Sequence, residues 1–409
     1  MTIMKHCHSP FSLIAFAAGW LCASSAGKGA EAPFRVERKV VLTSQPGSYF
    51  TQSRAALIPG TPPRMLITTQ ETEPEGAHGY RDVYQVESPD GGLTWGAVKT
   101  VDSLRRTAQA DGYEVVMGDA WPQWHAQSRK LLVTGKTFNF RGGLTEDRNR
   151  ERVSYAVYDP AGGGWSGLKL MEMPTTDHAG KPILQPNAGC NQPVYLPDGD
   201  VLLPVRYGRK AGSQNYTTIV TRCSFDGTNL VYKSHGSELG LPDGRGLYEP
   251  SLAFYKGWYY LTMRADRSAY VSRSKDGLVF EEPVREWTFD DGKVLGSYST
   301  QQHWVTHADG LYLVYTRKGA DNDHIFRHRA PLFIAKVDGG NLRVLRDTEQ
   351  VLFPAEGADL GNFGVVEVSP EETWVITSES PGKKQAQNRV LVARLLWRSA
   401  NSGAGQQGR

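Results

Sequence analysis

The chain has 409 residues, 39% hydrophobic and 22% charged, with 44 glycines, 23 prolines and a formal net charge of +3. This is globular, turn-rich chemistry. It is too apolar and aromatic for disorder, lacks collagen's glycine period, and has too small a basic excess to ask for a nucleic-acid partner. No run reaches the roughly 18 consecutive apolar residues of a membrane span.

The first 26 residues read as an export leader. Lys5 precedes an apolar run over residues 11–22, and Ser24-Ser25-Ala26 supplies the small residues of a cleavage site. That order predicts a mature start near Gly27 and a periplasmic or secreted protein. Leu21, just before Cys22, argues against lipid attachment. Beyond the leader only Cys190 and Cys223 remain. An oxidising compartment permits a disulfide between them, and two buried thiols are the equal alternative.

From residue 30 onward the 3.6-residue helical period is hard to find. Short β-branched and aromatic runs alternate with Gly, Pro, Asp and Asn. They fall at 64–69, 83–87, 130–134, 154–158, 201–205, 258–263, 311–315 and 332–337. This rhythm predicts an antiparallel all-β fold. One turn recurs between such runs. Its fullest copy is Ser88-Pro89-Asp90-Gly91-Gly92-Leu93-Thr94-Trp95, with shorter copies at Ser274–Phe280 and Ser224–Asn229 and degraded ones at Asp159 and Asp338. In each, the aspartate can accept hydrogen bonds from the turn backbone while glycine supplies positive φ.

The recurring Ser-x-Asp-Gly turn is the Asp-box, and its repetition resembles the sialidase superfamily of β-propellers. The resemblance implies a closed six-bladed ring. The blades run over about 50–104, 111–172, 188–240, 247–288, 298–353 and 360–399, with residues 34–42 completing the last. One domain over 27–399 is expected, followed by a Gly/Gln/Ser-rich tail at 400–409.

Sialidases hold a substrate carboxylate with three arginines from the first, fourth and fifth blades. Arg54, in Tyr49-Phe-Thr-Gln-Ser-Arg54, matches the first, although the family's following proline is missing. Arg264 follows Tyr248-Glu249-Pro250 by one strand and a turn, as the family's glutamate-then-arginine pair does. Arg329, in His328-Arg329-Ala330-Pro331, matches the third, with Arg327 and Arg317 as rivals. Guanidinium suits the role because it is planar, permanently charged and able to bind a carboxylate through two hydrogen bonds.

The resemblance makes Glu249 the base that activates a tyrosine nucleophile. The tyrosine's own place, at the start of the last blade, holds Asn362 and Phe363. Tyr298 and Tyr248 open other blades and are the substitutes. The family's acid lies in a first-blade loop. Here Asp82 is the only aspartate and His78 falls nearest by spacing. His125, Gln302, His303 and Asn362 are further candidates for substrate contact. Asp323, His324 and His328 form a polar cluster, but on loop and strand rather than on a helix, so no metal and no cofactor is expected. No Walker loop, HExxH, CxxC or GxGxxG-helix pattern is present.

These features together predict an exported, monomeric glycosidase acting on a terminal acidic sugar such as sialic acid. Two alternatives remain open: a propeller lyase acting on uronate polysaccharide, and a non-catalytic glycan-binding propeller.

Overall fold

The computed structural model describes residues 32–72, 79–143, 145–380 and 387–402. Strands dominate, and the helical elements among the described residues are four single 3-10 turns. The described residues from Pro33 onward form one compact unit. Within it the strands make six sheets, each wound outward from its first strand and antiparallel but for the short pairing of Thr288–Phe289 with Arg343–Val344 in the fifth. The first blade is built on Tyr49–Ile58, Arg64–Thr72 and Tyr80–Ser88. The second uses Tyr113–His125, Lys130–Arg141 and Val153–Asp159, and the third Leu184–Asn187, Val201–Gly208, Tyr216–Phe225 and Leu230–His235. Tyr248–Tyr255, Trp258–Arg264 and Ala269–Ser274 form the fourth, and His303–His307, Gly310–Tyr315 and Leu332–Asp338 the fifth. The sixth combines Phe363–Ser369, Glu372–Ser378 and Arg389–Trp397 with the first strand of the chain, Phe34–Thr43.

That last pairing closes the ring. It runs from Phe34 opposite Trp397 to Thr43 opposite Arg389, so no inner blade is left with an open edge. The core lies between successive blades rather than at one centre. Trp287, Trp304, Leu313 and Phe333 fill the seam of the fourth and fifth blades. Phe363, Val375, Val314 and Ile334 fill that of the fifth and sixth. Met65, Ile67, Trp374 and Ile376 join the sixth to the first. Alternating strand residues can serve two seams at once, which is why the middle strands read as continuous apolar runs.

The aspartate turns brace the outer hairpins. Asp90 Oδ1 accepts from the Ser88 hydroxyl at 2.7 Å and from the Thr94 amide at 2.8 Å. Asp276 repeats this with Ser274 and the amides of Leu278 and Val279. The Thr94 contacts lead in holding the Asp90 carboxyl down at about 2. Gly92, at φ +91, needs its bare α-carbon, because a β-carbon there would lie 2.1 Å from the Trp374 ring.

The two cysteines are buried and unpaired. Cys223 packs beside Met171 and Cys190 beside Gln52, so each thiol has its own neighbourhood.

Candidate functional site

In four of the six blades the first strand is interrupted toward its leading end. The pairing register slips between Thr51 and Arg54, between Gly118 and Trp121, between Leu184 and Asn187, and between Tyr248 and Ser251. Each slip carries a non-glycine residue at positive φ: Gln52 (55°), Asp119 (54°), Gln185 (52°) and Glu249 (44°). Ser299 (46°) does the same ahead of the fifth blade. Such bulges re-aim a side chain, and left-handed non-glycine residues persist only where their surroundings hold them.

Three arginines meet at this end of the strands. Arg54 Nη2 donates to Gln301 Oε1 at 3.3 Å, and its Nη1 donates to the Ala120 carbonyl at 3.3 Å. Arg264 Nη2 donates to the Ser299 hydroxyl, and Arg329 Nη2 donates to the Ser299 carbonyl, both at 3.1 Å. Arg329 Nε also reaches the Thr300 hydroxyl at 3.2 Å. One three-residue segment, 299–301, therefore gathers side chains from the first, fourth and fifth blades. All three arginines are buried. The Nε groups of Arg54 and Arg264 are buried without a hydrogen-bond partner. Two glycines make the space: a β-carbon on Gly361 would lie 2.3 Å from Arg329 Cδ, and one on Gly364 would lie 2.8 Å from Arg54 Cγ.

Glu249 faces this cluster. Its Oε2 pairs with Arg264 Nη1 at 2.5 Å, and its side chain remains 25% exposed. Burial pushes its carboxyl up, but Arg264, then Arg329 and Arg245, hold it below the usual range. Arg245 adds a fourth guanidinium: it donates to the Ser299 hydroxyl at 3.1 Å and pairs with Asp266 at 2.6 Å. The Tyr248 ring lies under both Arg264 and Arg245, and its hydroxyl donates to Asp266 at 2.9 Å. Asp359 pairs with Arg329 at 3.5 Å. Arg317 is spent elsewhere, on a two-bond pair with Glu349 at 2.8 and 2.5 Å. Arg327 lies close enough that burial and the charges of Arg329, Arg264 and Arg245 push its guanidinium down.

The remaining expected residues divide. Asn362 is half-buried beside Gln301, whose amide approaches its Oδ1 at 3.5 Å. His303 is fully buried behind the clamp. Gln301 Nε2 donates to the Gly361 carbonyl at 2.9 Å, so its Oε1 is the acceptor. His303 Nε2 then donates to that oxygen at 3.2 Å, and its Nδ1 accepts from the Ser251 hydroxyl at 2.8 Å. His303 thus positions Gln301 and, through it, Arg54. Gln302 is fully buried too, with its amide on Ser297 and its oxygen on the Thr262 hydroxyl at 3.1 Å. It fixes the 299–301 segment from inside.

His125 stands apart from the arginines. It closes the hairpin opposite Lys130, and its two nitrogens meet the Ser128 hydroxyl at 2.8 Å and the Gly199 carbonyl at 2.9 Å. Asp82 is likewise committed, accepting from the Arg106 amide at 2.9 Å and pairing with Arg105 at 3.4 Å. Tyr298 is flanked by the His328 ring edge and the Lys318 ammonium rather than by Glu249. Phe363, at the expected tyrosine place, is buried against His303. His78 lies outside the described residues.

Asp119, Ser299 and Arg245 were not singled out by sequence. None sits in a motif, and a bulge built from Asp or Ser leaves no glycine to mark it. For metal, one group among the described residues brings three donors within 4.8 Å: His178, His235 and Glu238, on the third blade. The two imidazoles stack at 4.1 Å and 16°, so their in-plane lone pairs do not converge on one ion.

No protein-family model matches the chain, and no curated protein matches it. Solved structures do. Trypanosoma rangeli sialidase superposes with a TM-score of 0.60 at 15% identity, over 88% of this chain and 59% of that one. A Dyadobacter fermentans protein of unknown function superposes with a TM-score of 0.62 at 14% identity, over 90% of this chain and 100% of that one. A Hadza microbial sialidase gives 0.58 at 12% identity, over 87% and 66%. The chain thus spans about 59% of the length of the trypanosomal enzyme. At these identities the likeness concerns the fold, which is a sialidase-like six-bladed β-propeller.

Proposed function

We propose that this protein is a glycoside hydrolase of sialidase type that removes a terminal carboxylate-bearing sugar. The observation that carries the reading is the convergence of Arg54, Arg264 and Arg329 on residues 299–301, with Glu249 beside them. Buried guanidinium groups with unspent N–H donors repel one another and call for an anion, and a sugar carboxylate offers the matching planar acceptor. Two sialidases among the similar structures favour sialic acid over other acidic sugars. Residues 1–26 serve as the export leader in this reading, which the intact mass of the mature protein checks.

The test is release of free sugar acid from α-sialosides, compared with uronate oligosaccharides. Glu249→Gln should lower turnover by at least about 100-fold while the protein still binds free sialic acid. Binding without turnover in the unaltered protein would instead mark a lectin.

A lyase acting on uronate chains is the second reading. It is favoured by Asn362 and the buried Phe363 standing where the hydrolytic tyrosine is expected. Its signature is the new ultraviolet absorbance of an unsaturated uronate.

A further inference from the structure

Of the bulge residues, Asp119 is held most firmly and used least. Its amide donates to Gln70 Oε1 at 3.2 Å, and its carbonyl accepts from the Cys190 amide at 2.9 Å. The carboxyl lies against Gly189, where a β-carbon would come 2.7 Å from Asp119 Cβ and 3.1 Å from Oδ2. The next carbonyl along, that of Ala120, accepts from Arg54. The Asp119 carboxyl is therefore anchored one peptide away from the arginine cluster.

Its Oδ1 is buried and has no hydrogen-bond partner. No ion pair reaches Asp119 among the described residues. The nearby ammonium of Lys136 is taken by Glu151 at 2.9 Å and Glu146 at 3.2 Å. The other charged and titratable groups around Asp119 are Arg54 and Tyr80 from the first blade, Cys190 from the third and Glu249 from the fourth. Burial pushes the Asp119 carboxyl up. Lys136 and Arg54 pull it down, Glu249 pushes it up again, and the balance is upward. Glu249, paired with Arg264, is driven the opposite way. Two carboxyls in one site whose environments split their protonation divide the acid and anion roles between them.

We propose that Asp119 is the proton-donating catalytic residue of this site. This rests on the hydrolase reading above. In the step, the glycosidic C–O bond breaks with its electron pair going to the departing oxygen. Asp119 gives that oxygen its proton, and the aglycone leaves as an alcohol. Water then adds to the anomeric carbon and returns one proton to the Asp119 carboxylate. One water is consumed and the acid is restored.

The experiment uses the full chain with two probes, sialyllactose and an aryl α-sialoside. The phenol leaving group of the second needs little protonation. Asp119→Asn should lose about 100-fold or more on sialyllactose, but less than tenfold on the aryl substrate. It should also lose the alkaline limb of the kcat/KM–pH profile, and Asp119→Glu should restore that limb in part. Equal losses on both probes with the limb intact, or no loss on either, would overturn the proposal.

A substrate-free measurement separates this inference from the reading beneath it. Infrared difference spectra recorded across a pH titration should show a carboxyl band that stays protonated above the usual aspartate range in the unaltered protein and that Asp119→Asn removes. If the unaltered protein cleaves neither sialoside but the band is present, the hydrolase reading fails and the protonation assignment stands. If the band does not depend on Asp119, the assignment fails whatever the substrate.

Discussion

The same six inner strands are built differently at their two ends. At the leading end, bulges turn Gln52, Asp119 and Glu249 toward Arg54, Arg264 and Arg329. At the trailing end the pairing is regular in the first, second and fourth blades and slips in the sixth, between Glu367 and Ser369, and the strands line a channel of about 600 Å³ with Leu57, Trp121, Trp124, Phe254, Trp304 and Val366 among its walls. None of the arginines reaches that channel. Charge and backbone strain are concentrated where pairing is broken, and apolar packing continues where it is regular. Stability and chemistry are thus separable along a single strand, because a bulge costs only local pairing.

The largest expected effect comes from breaking the leading end. Arg264→Met leaves Glu249 without its partner in a largely buried site, and losing one member of such a pair costs about 3–5 kcal/mol. Because Glu249 keeps some exposure, the lower figure is expected in urea unfolding, together with loss of sugar-acid binding. Arg264→Lys keeps the charge but not the fork, so binding should still fall while stability largely recovers. Equal affinity in the lysine variant would sink the clamp.

Breaking the trailing end should act on stability alone. Leu252 is fully buried and lines the channel. Leu252→Ala should cost about 2–5 kcal/mol, with turnover per folded molecule unchanged well below the melting temperature. A matching drop in turnover would show that the two ends are coupled.

The smallest effect concerns His303, which sits between them. Burial first, then Arg54, holds its imidazole well below 6.5. The unfolded chain therefore binds a proton that the folded chain refuses. Stability falls as pH drops below about 6.5 toward the folded value, by at most about 1.4 kcal/mol per pH unit. His303→Gln should shallow this acid-side slope. Part of it will remain, because His235 and His307 are shifted the same way. An unchanged slope would mean His303 is charged in the fold.

Much of the architecture was readable from residue order. The strand runs, the aspartate turns and the blade limits are local properties, and a run such as Trp258–Met263 has the same period in sequence as in the sheet. That Arg54, Arg264 and Arg329 converge on one segment could be expected from motif context, whereas their role could not be read from it. The rest was not readable, for two reasons. A bulge is a property of pairing, so nothing in Met117-Gly118-Asp119-Ala120 marks Asp119 as turned inward. Polar side chains beside a motif also read alike whether they face ligand or protein. Gln301, Gln302 and His303 look equivalent in sequence, yet Gln301 touches Arg54 while Gln302 and His303 brace the segment behind it.

The clasp between Phe34–Thr43 and Arg389–Trp397 joins the earliest and the latest strand of the ring. The Pro33 carbonyl accepts from the Arg398 amide at 3.0 Å, so the two ends of the ring lie side by side. The circle is thus a bracelet with one fastener, and synthesis must pass Arg398 before the fastener can shut. Until then the sixth sheet lacks its outermost strand. A circular permutant that joins residues 33 and 398 and opens at the exposed Asp226–Asn229 turn moves the fastener to the third blade. It would show whether late closure governs how fast the ring forms.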